Sequence, residues 1–164
     1  MVLDLQFWKN RRLNNPDLTY KTNTANKEEI LAHLQECNDN FSQPLNQKVD
    51  IGVYSRKLFK KSIMFEAWTD KTLVGLVAAY FNDTENSAGY VTNVSITKNL
   101  QGMGIASELL KRCIEYAKQN NFDEIKLEVS HNNHDAIHLY EKFGFINYAE
   151  KDDSLVLRLC LQNF

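Results

Sequence analysis

The hydrophobic repeat of this chain changes twice in its second half, and the two changes bracket a strand–helix–strand unit. Before the first change the apolar segments read as strands separated by short polar turns: Ile63 to Trp68, Thr72 to Phe81 and Tyr90 to Ile96. From Gly102 the repeat becomes helical, with Ile105, Leu109, Cys113, Ile114 and Ala117 on one face. It then returns to period two, where Ile125, Leu127 and Val129 alternate with Lys126, Glu128 and Ser130. A chain that leaves a strand near 96, winds a helix over 102–119 and returns as a strand over 124–130 makes a parallel crossover. The Thr69-Asp70-Lys71 turn and the polar 82–89 loop instead make hairpins, whose strands are antiparallel. The sheet must therefore be mixed.

The remaining segments complete this plan. Leu18 to Thr22 reads as a first strand. Asn26 and Glu29 resemble a capping box ahead of Ile30, Leu31, Leu34 and Cys37, and a second helical stretch follows a Pro44 loop over 49–61. Ala136, Leu139, Tyr140 and Phe143 mark a short helix that Gly144 ends. Two last strands, near 145–150 and 154–161, flank a Lys151-Asp152-Asp153 turn. The order β, α, α, β, β, β, α, β, α, β, β predicts an α+β domain with about seven strands, mostly antiparallel, and helices on both faces. The domain is expected over 16–164. Residues 1–15 form an N-terminal extension, with a helix expected over 2–13 and the apolar pair Phe7-Trp8, which makes a homodimer reasonable.

Composition excludes several classes. A net charge of −2 offers no broad nucleic-acid surface, and Lys57, Lys60 and Lys61 read as one solvated helix face. No apolar run approaches the roughly 20 residues of a membrane span. The charges of the N-terminus follow its apolar residues, unlike a signal peptide. The 3 cysteines, Cys37, Cys113 and Cys160, are far apart and show no zinc-like spacing, as expected of thiols in a reducing, cytoplasmic setting.

Gln101 to Ala106 carry the chemistry. Two glycines open the 102–119 helix, where the first N–H groups lack intrahelical acceptors and the helix dipole adds positive potential. Without a Cβ an anion can approach those donors, so the turn is a candidate pyrophosphate cradle. Alone, it reads equally as a simple change of direction. A dinucleotide fingerprint is disfavoured, because a third glycine is missing and antiparallel hairpins precede the turn.

With Val94-Ser95-Ile96 upstream, Gln101-Gly102-Met103-Gly104-Ile105-Ala106 resembles the Arg/Gln-x-x-Gly-x-Gly/Ala motif of the GNAT superfamily of acyl-CoA N-acyltransferases. Asn133 to Phe145 is similar to that family's Asn-x-x-Ala-x-x-Leu-Tyr-x-Lys-x-Gly-Phe element. The resemblance implies a GNAT-like mixed sheet with a β-α-β cofactor crossover and acetyl-CoA as cosubstrate. Val94, Ser95 and Ile96 would form the splayed cofactor-facing strand and contact the cofactor, with the backbone groups of Val94 and Ile96 offered to the acetyl and pantetheine portions. The amides of Gln101 through Ala106 would hold the pyrophosphate, and Asn133 would contact the pantetheine arm as well as cap its helix. Tyr140 would protonate the departing thiolate; its place on an apolar face also suits an ordinary core tyrosine.

The implied reaction moves an acetyl group to a primary amine by direct attack through a tetrahedral oxyanion. That amine must be neutral, yet alkyl amines are almost wholly protonated near pH 7. Many family members keep a carboxylate on the strand before the glycine turn, where this chain has Thr92 and Asn93. Glu66, or Glu128 through a water, are the candidate substitutes, and both read equally as surface or edge-strand charges. His134 and His138 point away from the apolar face of their helix, so with His131 they suggest no metal site. The alternative function is a CoA-binding regulatory module with weak turnover. The acceptor, a small-molecule or peptide amine, is not encoded in any motif.

Overall fold

The structure, a computed structural model, describes residues 17–161. The expected 2–13 helix, Phe7-Trp8 and the whole 1–15 extension lie outside the described residues. Within them the chain forms β1 (Leu18–Thr22), α1 (Lys27–Glu36), α2 (Leu45–Lys48), α3 (Ile51–Lys61), β2 (Ile63–Thr69), β3 (Thr72–Asp83) and β4 (Ala88–Ile96). There follow α4 (Ile105–Gln119), β5 (Glu124–Ser130), α5 (His134–Lys142), β6 (Ile146–Glu150) and β7 (Ser154–Cys160). The strands make one sheet of 7 in the order β1-β2-β3-β4-β5-β7-β6, and only β4 and β5 pair in parallel. This is the mixed, mostly antiparallel α+β sheet that the sequence predicts.

Local chemistry explains most boundaries. Asn26 caps α1 in a full capping box with Glu29. The expected 49–61 helix is α3, started by Asp50 accepting from the Val53 N–H, and the extended Val49 separates it from the short α2, which falls within the expected Pro44 loop. The glycines stand before α4 rather than in its first turn. Gly102 and Gly104 have φ near +80°, and Gly104 is the N-cap itself. An L side chain resists that conformation, so the pair bends the chain and launches α4 at Ile105.

Two cores sit on opposite faces of the sheet. α4 packs Ile105, Leu109, Leu110, Cys113 and Ile114 onto Phe65, Val77, Ala79 and Val91, and Tyr140 of α5 joins them. α1 and α3 pack Ile30, Leu34 and Leu58 onto Met64, Trp68, Leu76 and Ala78. Gly75 permits the close approach of α4, since a Cβ there would lie 2.9 Å from the Ile105 Cγ2.

The sheet opens in the middle. β4 pairs with β5 only from Ala88 to Val91, opposite Glu124 to Leu127. Beyond that point Asn93 to Ile96 keep β3 on one side and lose β5 on the other, while β5 continues along β7 to Ser130. A register shift between Ala78 and Ala79 skips Thr92, the kind of bulge that bends a strand. The resulting cleft leaves one edge of β4 free.

Candidate active site

Two cavities enter this cleft from different sides. One, of about 350 Å³, runs from the glycine turn along Val94 and Ile96 to Asn133, Ala136 and Tyr140. The other, of about 270 Å³, is bounded by Phe41, Leu45, Val49, Tyr54, Thr92, Asn93 and Glu128. Val94, Asn133 and Tyr140 line both. The second cavity continues into a larger groove of about 930 Å³ beside Lys48, His131, Asp152 and Asp153.

The glycine turn is open and rich in donors. A Cβ added at Gly102 or Gly104 would meet nothing within 4 Å. The expected run of donors begins at Gln101, but its N–H donates to the Lys98 carbonyl at 3.3 Å. No N–H from Gly102 through Ser107 has a hydrogen-bond acceptor among the described residues, and the first bond of α4 runs from Glu108 N–H to the Gly104 carbonyl. Convergent unpaired amides at a helix N-terminus form an anion cradle. Met103 adds its amide to this cradle, while its side chain is exposed. The side chain of Gln101 turns back to donate to the Ile96 carbonyl at 3.2 Å, which Asn40 also reaches at 3.3 Å. These two amides occupy a carbonyl that no β5 strand satisfies.

Side-chain alternation corrects one expected contact. Val94 and Ile96 face the first cavity, so Ser95 between them faces the opposite side of the sheet. There its hydroxyl meets His33 and Asn93 rather than a cofactor. Asn133 caps α5 by accepting from the Ala136 N–H at 3.3 Å. Tyr140 is 6% exposed and stacks edge-on with Phe145 at 5.8 Å. Its hydroxyl has no partner among the described residues, and burial pushes its pKa up to about 12.

The two carboxylates expected as bases have very different surroundings. Glu66 is 0% exposed and lines neither cavity, contrary to its reading as a surface charge. Its oxygens accept from the Thr24 and Ala25 amides, the Thr24 hydroxyl and the Trp68 indole. With its oxygens committed to the β1–α1 connection and to Trp68 of its own strand, it is a structural carboxylate. Glu128 does face the second cavity, where Ser154 Oγ donates at 2.6 Å and Lys151 Nζ at 2.9 Å. Those hydrogen bonds hold its pKa below the usual carboxylate range. His134 and His138 are exposed on α5.

Other residues of the cleft carry weaker sequence signals. Tyr54 of α3 donates to the Thr92 carbonyl at 3.0 Å, and burial raises its pKa to about 12. His33 lies on the buried face of α1, three residues after Ile30 and four before Cys37. That spacing places a histidine in the core, a signal that could have singled out His33, which the sequence reading passed over.

The sequence model of the Acetyltransferase (GNAT) family matches residues 27–145, most of the chain. This chain belongs to the GNAT family. Among GNAT relatives, N-alpha-acetyltransferase MAK3 of Arabidopsis thaliana is 28% identical over 116 residues, 70% of this chain and 61% of that protein. Spermine/spermidine N(1)-acetyltransferase of Bacillus subtilis is 32% identical over 81 residues, 49% of this chain and 53% of that protein. The chain thus spans little more than half the length of these relatives. The solved NatC complex bound to Gag peptide and CoA contains a chain of the same fold, with TM-score 0.72 and 23% identity, covering 89% of this chain and 99% of that one. No helix among the described residues is long and apolar enough to cross a membrane.

Proposed function

We propose that this GNAT chain transfers an acetyl group from acetyl-CoA to a primary amine, by direct attack through a tetrahedral intermediate. The observation that carries this reading is the meeting of two cavities at Val94, Asn133 and Tyr140. The cavity ending at the unpaired amides of the glycine turn takes the cofactor, with its diphosphate on the 102–107 amides. The pantetheine arm then follows the free edge of β4 past Val94 and Ile96 to Asn133. The amine enters from the other cavity and meets the thioester at the shared wall.

In this arrangement free β4 backbone N–H groups stabilise the oxyanion as it forms. Tyr140 acts at the leaving sulfur. A phenol with pKa near 12 does not surrender its proton outright to a thiolate, whose pKa is about 8.5 for an ordinary alkyl thiol. It hydrogen-bonds the sulfur as the C–S bond breaks and passes its proton on as the proton lost by the amine replaces it. Glu66 has no part in this chemistry. Glu128, held anionic by Ser154 and Lys151, attracts the cationic acceptor, whose excess proton leaves through water. A protein of this charge, without a spanning helix among the described residues, fits a cytoplasmic enzyme.

A second reading, a CoA-binding module with weak turnover, is favoured by Thr92 and Asn93 standing in place of the family acid. Release of free CoA thiol from acetyl-CoA, measured with a panel of polyamines, amino sugars and peptide N-termini, separates the two. Thiol release with one amine class supports the enzyme; calorimetric binding of CoA without release supports the module. No heat with either CoA or acetyl-CoA in folded protein overturns both.

A further inference from the structure

Asn93 occupies β4 where an acid is common in the family, and it lines the acceptor-side cavity while only 4% exposed. Behind it runs a buried chain of polar atoms. Asn93 Oδ1 lies 2.7 Å from Ser95 Oγ, which lies 2.8 Å from His33 Nε2. The other ring nitrogen, Nδ1, lies 3.1 Å from the Leu73 carbonyl. The Cys37 thiol touches the ring at 3.7 Å from Nε2. On the cavity side the Tyr54 hydroxyl bonds Thr92 and also lies beside the Asn93 amide, so an Asn93 oxygen turned that way has one lone pair for this hydroxyl and one for the cavity.

Proton counting decides how this chain is wired. Burial pushes the His33 pKa down to about 4, so at neutral pH the ring has one N–H and one lone pair. A carbonyl oxygen only accepts, so the N–H belongs on Nδ1, facing Leu73. Nε2 is then the lone pair, and Ser95 must spend its single proton there. Nothing remains for Ser95 to donate to Asn93. An amide oxygen 2.7 Å from Ser95 Oγ would set lone pair against lone pair in buried space, whereas the amide nitrogen would donate. The two ends of a carboxamide have nearly the same shape, and a half-turn exchanges them in place.

We infer that His33 and Ser95 hold the Asn93 amide with its nitrogen on Ser95 and its carbonyl oxygen facing the acceptor cavity, where that oxygen accepts an N–H of the attacking amine. The inference rests on the acyl-transfer reading for the amine and on the network alone for the orientation. Direction matters because a neutral primary amine has two N–H donors and one lone pair, and the lone pair must reach the thioester carbon. An acceptor oxygen takes an N–H and leaves the lone pair free. An amide N–H in the same place would bind the lone pair and hold the amine unreactive. Asn93 therefore touches substrate, and Ser95 and His33 are positioning residues.

The wiring is read without turnover. With His131, His134 and His138 replaced by Gln, two-bond 15N–1H correlation of His33 should show an unprotonated Nε2 at neutral pH. A protonated Nε2 overturns the orientation, whether or not acetyl transfer occurs. In kinetics, Asn93→Leu should lower acceptor kcat/KM by at least about tenfold and leave the acetyl-CoA KM unchanged, one lost hydrogen bond to the reacting group. Ser95→Ala should lower kcat with little change in acceptor KM, and Ser95→Thr, which keeps the hydroxyl, should restore it. Folded Asn93→Leu with full activity overturns the substrate contact. An unprotonated Nε2 in a wild-type protein that releases no CoA thiol supports the amide orientation and overturns its role toward the amine.

Discussion

Tyr140 and Glu66 show how burial assigns opposite duties to two ionisable side chains. Tyr140 has a buried ring and a hydroxyl without a partner among the described residues, at the wall shared by both cavities. Tyr140→Phe keeps the ring and its contact with Phe145, so the fold should persist. Turnover should fall by about 10²-fold, the scale of one positioned proton donor, with acetyl-CoA affinity nearly unchanged. Thiol-release kinetics with calorimetry checks this, and unchanged turnover removes Tyr140 from the reaction. Glu66 by contrast satisfies donors from Thr24, Ala25 and Trp68 in the core. Glu66→Ala orphans all of them, and at about 1–3 kcal/mol per buried unpaired group should cost at least about 3 kcal/mol. Urea unfolding measures it; an isoenergetic variant would contradict the structural assignment.

At the scale of elements, the cofactor side depends on how α4 begins. The positive φ of Gly104 and the absence of neighbours around it separate local strain from packing. Gly104→Ala should cost about 1–2 kcal/mol in backbone strain, yet create no clash within the protein. Its methyl group would enter the open space beside the turn, where the proposed diphosphate would lie, so CoA affinity should fall further than stability does. Gly75→Val makes the complementary test. Its side chain would strike Ile105 and Ile96 and push α4 off the sheet, costing stability and affinity together, with the stability loss about 1–3 kcal/mol. Calorimetry beside denaturant titration distinguishes the two. Equal losses in both variants would mean that the turn binds no anion of its own. The opening of β4 from β5 after Val91 belongs to this scale as well, since the loss of one ladder frees the β4 edge on which the proposed acyl transfer relies.

For the whole molecule, His33 links the core to pH. Its pKa is near 6.5 in an unfolded chain and about 4 in the fold, where desolvation by burial outweighs the hydrogen bonds to Leu73 and Ser95. Between those values the unfolded chain binds the extra proton. The stability contribution is therefore complete above about pH 6.5 and is lost as pH falls toward 4, by about 3 kcal/mol in all. Urea midpoints should decline across that window in wild type and decline less in His33→Gln. A parallel decline in both would place the pH dependence elsewhere.

Much of this molecule was legible from local patterns. The strand–turn–helix–strand run, the capping boxes and the glycines at positive φ each depend on residues a few positions apart, where backbone chirality and side-chain period decide the outcome. The tertiary structure decided what depends on distant partners and on which face of a strand is covered. Whether Glu66 meets solvent or the Thr24 amides depends on 42 intervening steps of chain. Ser95 turns from the cofactor to His33, 62 positions away, because strand alternation fixes its face and only the packing of α1 supplies what waits there. The cleft between β4 and β5 arises the same way: each strand is readable alone, but the residue at which their pairing stops is a property of the assembled sheet.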